Sequence, residues 1–377
     1  MQIILKKIAC RLLRLLPHAI VSGCLLLQCT SQNTDCTEFD PTCNASWLTY
    51  LLTANPGPDF IAVADQQTYL VSQYGQWTAV DYTTISGNTL FHMATTGSSN
   101  LLATDIGAMI MYRGTVGGKT WTEQTLTAAI AGGGEVPHHI AACSTGAVVA
   151  FCPNCVNGLG PMFSYDSGAS WSHFAIAGGG GTSFKAHCTN GAMYVAFADS
   201  GGQSKISARY NQAGSWNTPG TPASFQAAVT GSAITANGSE TVVVDNTGTS
   251  VQVWHSPSGA DNFTNVATFG TNNFFGALTY GDGKYMAMMW NAAGTTCQFI
   301  YSTTGLSGSW NSLLVACPNM TSFKSLVVKN GVYKAAGTVN NTTPIMYTSS
   351  DGGNTWTQET LPTLTSATEI ADMLVLP

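Results

Sequence analysis

A tryptophan, replaced once by phenylalanine, recurs along the chain at the end of a turn rich in glycine, serine or asparagine. Successive copies are separated by 44 to 50 residues, and they are Trp77, Trp121, Trp171, Trp216, Phe263, Trp310 and Trp356. Self-similarity at such a period is the sequence signature of a repeated supersecondary unit. The chain is therefore expected to contain seven copies of one unit.

Each period has the same internal layout. Residues 182–222 contain the runs FKAHCTN, MYVAFAD and SKISARY before Trp216, and residues 321–362 contain FKSLVVKN, VYKAAGT, PIMYTSS and TWTQETL. Apolar or alternating runs of four to eight residues, bounded by glycine, asparagine and aspartate, predict β-strands. Four strands in about 45 residues form one blade of a β-propeller. The sequence thus predicts an all-β, seven-bladed propeller with four-stranded blades.

The two ends of the repeat region complement each other. The first unit begins near Asp59 and lacks an innermost strand, whereas the C-terminal segment TEIADMLVLP reads as an innermost strand without a blade. Residues 367–377 are therefore predicted to complete blade one and close the ring. Closure of this kind removes open sheet edges, which would otherwise pair with other chains.

The N-terminus has the features of an export signal. Four of the 13 basic residues precede residue 15, an apolar stretch follows, and no acidic residue occurs before residue 35. We expect a signal peptide over residues 1–28, cleaved before Cys24 or Cys29, with either cysteine as the lipidation site; the alternative is a plain secretory signal. Residues 29–58 are expected to be a tether and residues 59–377 the propeller. The predicted location is the bacterial cell envelope, as an outer-membrane or surface lipoprotein, or otherwise outside the cell.

Charge and cysteine content limit the partners. Charged residues are only 8% of the chain, and acidic residues outnumber basic ones by 19 to 13. Without a basic patch, nucleic acid is not an expected partner, and the membrane is expected to be contacted only through an N-terminal lipid. In an oxidising compartment, local pairing predicts the disulfides Cys36–Cys43 and Cys297–Cys317. The CPNC at 152–155 has no second CxxC, so neither a metal nor a cofactor is expected.

Two copies of the turn share a complete motif. They are SYDSGASW at 164–171 and SSDGGNTW at 349–356, and both resemble the Asp-box, or BNR repeat, Ser-x-Asp-x-Gly-x-Thr-Trp. The motif residues are Ser164, Asp166, Gly168, Trp171, Ser349, Asp351, Gly353 and Trp356. The resemblance implies a propeller of the sialidase-like superfamily, with these turns on the rim and away from the central mouth.

The motif has a structural explanation that does not require catalysis. An aspartate can accept hydrogen bonds from backbone N–H groups of its own turn, and glycine adopts backbone conformations that other residues avoid. The tryptophan supplies a large apolar area to the edge of the blade. We therefore expect these turns to be hairpin devices.

The sialidase reaction itself is not expected. Sialidases hold the substrate carboxylate with three arginines, and past the signal this chain has two, Arg113 and Arg209. Lysine does not replace the bidentate guanidinium. The resemblance therefore implies the fold of that superfamily without its catalytic residues.

The candidate site is the central mouth, formed by innermost strands and the loops that enter them. The candidate binding residues there are His92, His138, His139, Lys185, His187, Lys324 and Trp290. Glu135 and Glu369 are the carboxylates to test as a catalytic pair, because glycoside hydrolysis needs two. We expect a non-catalytic module that binds a glycan or a protein. The alternatives are a glycoside hydrolase with a non-standard carboxylate site and an envelope assembly scaffold.

Overall fold

The computed structural model describes the propeller region with gaps at several loops. The described residues are 59–64, 68–73, 75–81, 90–96, 100–105, 110–125, 139–143, 146–152, 160–173, 179–189, 192–199, 204–209, 233–238, 240–246, 250–257, 262–270, 273–291, 293–317, 320–364 and 369–376. The predicted signal peptide and tether, with Cys24, Cys29, Cys36 and Cys43, lie outside them. Within these ranges, no helix has the length and apolar character needed to cross a bilayer.

The described strands form seven antiparallel sheets, and each sheet extends from an innermost strand outward. Sheet 1 contains β27 (Ile370–Val375), β1 (Phe60–Ala64), β2 (Thr68–Gln73) and β3 (Gln76–Asp81); sheet 2 contains β4 (Leu90–Thr95), β5 (Asn100–Asp105), β6 (Ile110–Thr115) and β7 (Thr122–Thr125); sheet 3 contains β8 (His139–Ala142), β9 (Val148–Cys152), β10 (Gly160–Ser164) and β11 (Ser172–His173). Sheet 4 contains β12 (Gly179–Thr189), β13 (Ala192–Asp199) and β14 (Ser204–Arg209); sheet 5 contains β15 (Ala233–Asn237), β16 (Glu240–Asn246), β17 (Val251–Ser256) and β18 (Thr264–Phe269). Sheet 6 contains β19 (Asn273–Gly281), β20 (Lys284–Asn291), β21 (Thr296–Ser302) and β22 (Asn311–Ala316); sheet 7 contains β23 (Met320–Lys329), β24 (Val332–Val339), β25 (Thr343–Ser349) and β26 (Thr357–Gln358).

The sheets are arranged as the blades of a propeller. Their innermost strands contact one another in the order β27, β4, β8, β12, β15, β19, β23 and back to β27. Six sheets are complete four-stranded blades, not the seven that the sequence predicts, because sheet 4 has three strands among the described residues. The fourth strand predicted for that repeat, together with Trp216, lies outside them.

The C-terminal strand closes the ring, as predicted. It pairs antiparallel with β1, and the partners run from Phe60 with Val375 to Ala64 with Ile370. All five residues of β1 are buried, so this strand needs a hydrogen-bonding neighbour on each side. The second strand β2 lies on one side and the C-terminal strand β27 on the other.

The apolar core lies between adjacent sheets. Side chains along a strand point alternately to its two faces, and in β1 these faces contact different neighbours. Ile61 and Val63 pack with residues of sheet 2, whereas Phe60 and Ala62 pack with residues of sheet 7. This explains why inner strands are apolar at nearly every position rather than at alternate ones.

The strand order defines two ends of the ring. Innermost and third strands begin at one end, which we call the mouth end; second and fourth strands begin at the other, the far end. The turns between third and fourth strands therefore lie at the far end. The predicted Cys297–Cys317 disulfide is confirmed, and it links the third strand of sheet 6 to the residue after its outermost strand.

Candidate functional site

The two motif turns contain nearly identical hydrogen-bond networks at the far end. In the turn at 349–356, Ser349 Oγ donates to Asp351 Oδ1 at 2.7 Å and accepts from the Gly353 N–H at 2.8 Å. Thr355 donates its N–H to Asp351 Oδ1 at 2.9 Å and its hydroxyl to Oδ2 at 2.6 Å. The aspartate thus accepts hydrogen bonds within its own turn, as the sequence predicts.

The turn at 164–171 repeats this network with serine in place of threonine. Ser170 donates its N–H and its hydroxyl to the two carboxylate oxygens of Asp166, at 2.8 and 2.6 Å. These bonds, the side-chain one first, lower the pKa of Asp166 from its usual value to about 2. The Thr355 hydroxyl is the main cause of the lowered pKa of Asp351. Hydrogen bonds to the charged form keep both carboxyl groups ionised.

Each motif turn also packs on the preceding sheet. Gly353 has φ +86°, and a Cβ there would clash with the Met286 methyl of sheet 6. The Trp356 indole N–H donates to Gly353 O at 3.1 Å, and its ring stacks on Phe299 of sheet 6 with centroids 4.0 Å apart and planes 8° apart. The tryptophan therefore fills the interface between two sheets rather than covering the edge of one.

Polar side chains from three adjacent innermost strands meet near the mouth end. They are Ser325 of β23, Asp372 of β27 and His92 of β4, and each is less than 10% exposed. Each also follows a shift in strand register that leaves one residue unpaired. Such β-bulges redirect side chains and are frequent beside functional sites.

Asp372 lies at the centre of this polar cluster. His92 Nδ1 donates to Asp372 Oδ2 at 3.2 Å, and the Met373 N–H donates to Oδ1 at 2.9 Å. Ser325 Oγ lies 3.4 Å from the same Oδ1 and accepts the Met373 N–H at 3.0 Å. One carboxylate thus joins the innermost strands of sheets 7, 1 and 2.

An ion pair lies beside this cluster and closer to solvent. Lys324 Nζ is 3.4 Å from Glu369 Oε2, and the two side chains are 37% and 22% exposed. Lys324 is the residue that the second register shift of β23 leaves unpaired, whereas Glu369 directly precedes β27. The structure therefore brings together three of the predicted mouth residues: His92, Lys324 and Glu369.

The other candidates have different placements. Trp290 lies on β20, a second strand, and its ring packs edge-on against Phe323 of sheet 7 with centroids 6.0 Å apart. His139 lies on β8, and Lys185 and His187 lie on β12, both of them innermost strands; only the backbone of these residues is described. Glu135 and His138 lie outside the described residues, so the predicted pair of Glu135 and Glu369 stays a prediction.

Sequence reasoning missed Ser325 and Asp372. Asp372 is the one carboxylate inside the apolar strand IADMLV, and that exception was the available signal. Its partners could not be inferred, because they depend on register shifts in three strands far apart in sequence. Among the described residues, no group of three or more histidines, cysteines or carboxylates has a metal-binding arrangement.

A separate pocket lies at the outer edge of sheet 7. Its volume is about 630 Å³, and it is lined by residues 343–344, 358–362 and 364. Glu359 in its wall accepts hydrogen bonds from Lys334 Nζ and from Trp77 Nε1, both at 2.5 Å. The Glu359 carboxylate is therefore held by groups of sheets 7 and 1.

No protein-family model matches the chain, and no curated protein is detectably similar to it in sequence. Solved structures do match the fold. YCF48 bound to D1 peptide is 17% identical with a TM-score of 0.52, and the match covers 76% of this chain and 86% of that one. A protein from Lactobacillus plantarum is 9% identical with a TM-score of 0.59, covering 85% and 100%. A structure of the nidogen/laminin complex is 9% identical with a TM-score of 0.52, covering 85% and 99%. These neighbours are β-propellers. At such low sequence identity, the similarity shows that this chain has the same fold and shows nothing beyond the fold.

Proposed function

We propose that the protein is a non-catalytic binding module that recognises a segment of another protein at its mouth end. We further propose that sheet 4 is a seventh blade and that the motif turns are Asp-boxes. Two structural neighbours support the choice of a protein ligand, since YCF48 is seen with the D1 peptide and the nidogen/laminin structure is a protein complex. Fold likeness alone does not transfer a ligand, whereas the charged groups at the mouth end bear on ligand choice directly.

The observation that carries the proposal is the half-exposed Lys324–Glu369 pair beside a buried polar cluster. It offers a cation and a carboxylate 3.4 Å apart in a protein with only 8% charged residues. Lys324 lies on an innermost strand and Glu369 directly precedes one, so little ordering entropy is lost when a ligand binds. A polypeptide carries charged side chains and backbone polar groups that can meet both groups at once.

A peptide selection tests this directly. A displayed library of random peptides is selected on the immobilised protein, and the recovered peptides are then measured against variants. Lys324→Met and Glu369→Gln are each expected to weaken binding about tenfold or more, because a partly desolvated charged contact is lost. The matched controls are Lys119→Met and Glu123→Gln, two exposed residues of sheet 2, which are expected to leave binding unchanged.

Other outcomes identify the other candidate functions. Binding on a glycan array that Lys324→Met abolishes, with no peptide recovered, would replace the protein ligand by a sugar. Turnover of a chromogenic glycoside that Glu369→Gln abolishes would make the protein a hydrolase. Silence in all three assays would contradict a binding site at the mouth and favour an assembly scaffold.

We also propose that the protein is exported and carries a lipid on Cys24 or Cys29. The proposal rests on the N-terminal sequence pattern. Metabolic labelling with a radioactive fatty acid should mark the protein, and either Cys24→Ala or Cys29→Ala should abolish the label. Efficient secretion of an unlabelled protein would leave the plain secretory signal as the correct reading.

A further inference from the structure

The strand that closes the ring is held by side chains as well as by pairing with β1. Lys324, Ser325 and Lys329, all on β23, contact the start, the middle and the end of the closing segment. Lys324 pairs with Glu369 at 3.4 Å, Ser325 contacts Asp372 and Met373, and Lys329 Nζ donates to Leu376 O at 2.9 Å. From the other side, His92 of β4 binds Asp372. We call these four residues, with Glu369 and Asp372, the clasp.

The distribution of ion pairs singles out this part of the ring. Among the described residues, three ion pairs link sheet 1 to a neighbouring sheet: His92–Asp372, Lys324–Glu369 and Lys329–Asp59. The last brings Lys329 within 3.3 Å of the carboxylate at the start of β1. Three of the five ion pairs among the described residues thus lie where sheet 1 meets its neighbours.

The closing strand is short and forms one ladder among the described residues. It spans six residues and pairs only with β1. Ile370, Ala371 and Met373 are buried, Leu374 and Val375 are partly buried, and Leu376 after the strand is buried again. Segments of this kind open locally at a lower free energy than the whole domain.

We infer that the clasp is a latch: the C-terminal strand opens as a local unit, and Asp372 sets how often it does so. The carboxylate is buried and accepts hydrogen bonds from two strands, so its charge is compensated only while β27 is in place. Replacing it with asparagine keeps the shape and removes the charge. Asp372 is accordingly a positioning residue for ring closure and not a ligand contact.

Hydrogen exchange of the full chain, read by mass spectrometry, tests the latch. In Asp372→Asn, the amides of residues 369–376 are expected to exchange about 10- to 100-fold faster, the range for losing hydrogen bonds to a charged group. The amides of β16, on the other side of the ring, are expected to keep their rate. Glu123→Gln is the matched control and should change neither segment.

Two further variants keep the test informative if Asp372→Asn fails to fold. Ser325→Ala removes the contacts with Asp372 and the Met373 N–H, and Lys329→Met removes those with Leu376 O and Asp59. Each is expected to speed exchange in residues 369–376 by a smaller factor than Asp372→Asn. Combining His92→Asn with Asp372→Asn should add little to Asp372→Asn alone, since both remove the same contact. The inference is wrong if every variant speeds exchange equally in residues 369–376 and in β16, or if none changes either segment.

Discussion

Removal of the Trp356 ring is the most direct test of how the motif turns stabilise the propeller. The side chain is 9% exposed and lies between sheets 6 and 7 in contact with Phe299 and Tyr333. Burying a tryptophan withdraws on the order of 200 Å² from water, which at about 25 cal/mol per Å² corresponds to about 5 kcal/mol. Trp→Ala changes in cores cost about 3–5 kcal/mol, so we expect Trp356→Ala to lower the free energy of unfolding by about 4 kcal/mol.

Urea titration and calorimetry measure this loss. For a unit of roughly 320 residues the entropy of unfolding is about 0.7 kcal/mol/K, so a loss of about 4 kcal/mol lowers Tm by about 6 °C. Trp356→Phe keeps an aromatic ring on Phe299 but loses the hydrogen bond to Gly353 O, and it should cost about 1–2 kcal/mol. A double-mutant cycle with Phe299→Ala should return a coupling of about 1 kcal/mol between the stacked rings.

Trp310 is the matched control. It ends the corresponding turn of sheet 6 and donates its indole N–H to Gly305 O at 3.1 Å, but it is only partly buried and its ring lies 6.4 Å from that of Tyr285. Trp310→Ala is therefore expected to cost less than Trp356→Ala. Equal losses for the two variants, with a Phe299–Trp356 coupling below about 0.3 kcal/mol, would refute the claim that stacking between sheets is what the motif tryptophan contributes.

Three further outcomes are expected. Deletion of residues 368–377 should unfold or aggregate the protein, because β1 loses its inner partner; an unchanged calorimetric profile would contradict the closure. The folded-state pKa of Asp166 is about 2, below its ordinary value of 3.8, so its contribution to stability is present above about pH 4 and lost as pH falls towards 2. Asp166→Asn should flatten the dependence of Tm on pH in that window. Removing the Cys297–Cys317 disulfide, which closes a loop of 20 residues, should cost about 3 kcal/mol by the chain-entropy estimate. Addition of reductant should lower Tm in the wild type and have a smaller effect in the double Cys→Ala variant.

The β-propeller architecture was predictable because the repeat is visible in single residues; the count of seven four-stranded blades was not confirmed, since six are complete among the described residues. The spacing of Trp121, Trp171, Trp310 and Trp356 reports the period directly, and the missing inner strand before Phe60 predicts the role of the C-terminus. The disulfide was predictable for a similar local reason: Cys297 and Cys317 flank one hairpin, and Cys297 pairs with Val315 in the ladder.

The polar cluster of Ser325, Asp372 and His92 was not predictable, because it depends on β-bulges that interrupt the regular alternation of side chains along a strand. Whether His92 contacts Asp372 depends on register shifts in β4 and β27, and a shift of one residue changes the face on which a side chain lies. Composition cannot report such a shift. Likewise, the sequence identifies Trp356 as apolar and large, but its stacking partner Phe299 lies on another repeat.

The position of the arginines adds to the case against a sialidase-type site. Counting shows that Arg113 and Arg209 are too few to form three guanidinium contacts. Arg113 Nη2 donates to Ser167 O at 2.8 Å, inside the motif turn of the next sheet. Lys284 makes the matching contact, at 2.6 Å, with the carbonyl at the same motif position, Gly352.

These turns lie at the far end, and Arg209 is the last residue of the third strand β14, which also ends there. The chain thus uses a cation of one sheet to fix the turn of the next. Arg113 thus serves the packing of the ring, whereas the polar site near the mouth end contains a lysine, two carboxylates and a histidine. An arrangement that pairs those groups with one another supports recognition of a ligand with mixed charge, which is why the peptide selection comes before any search for turnover.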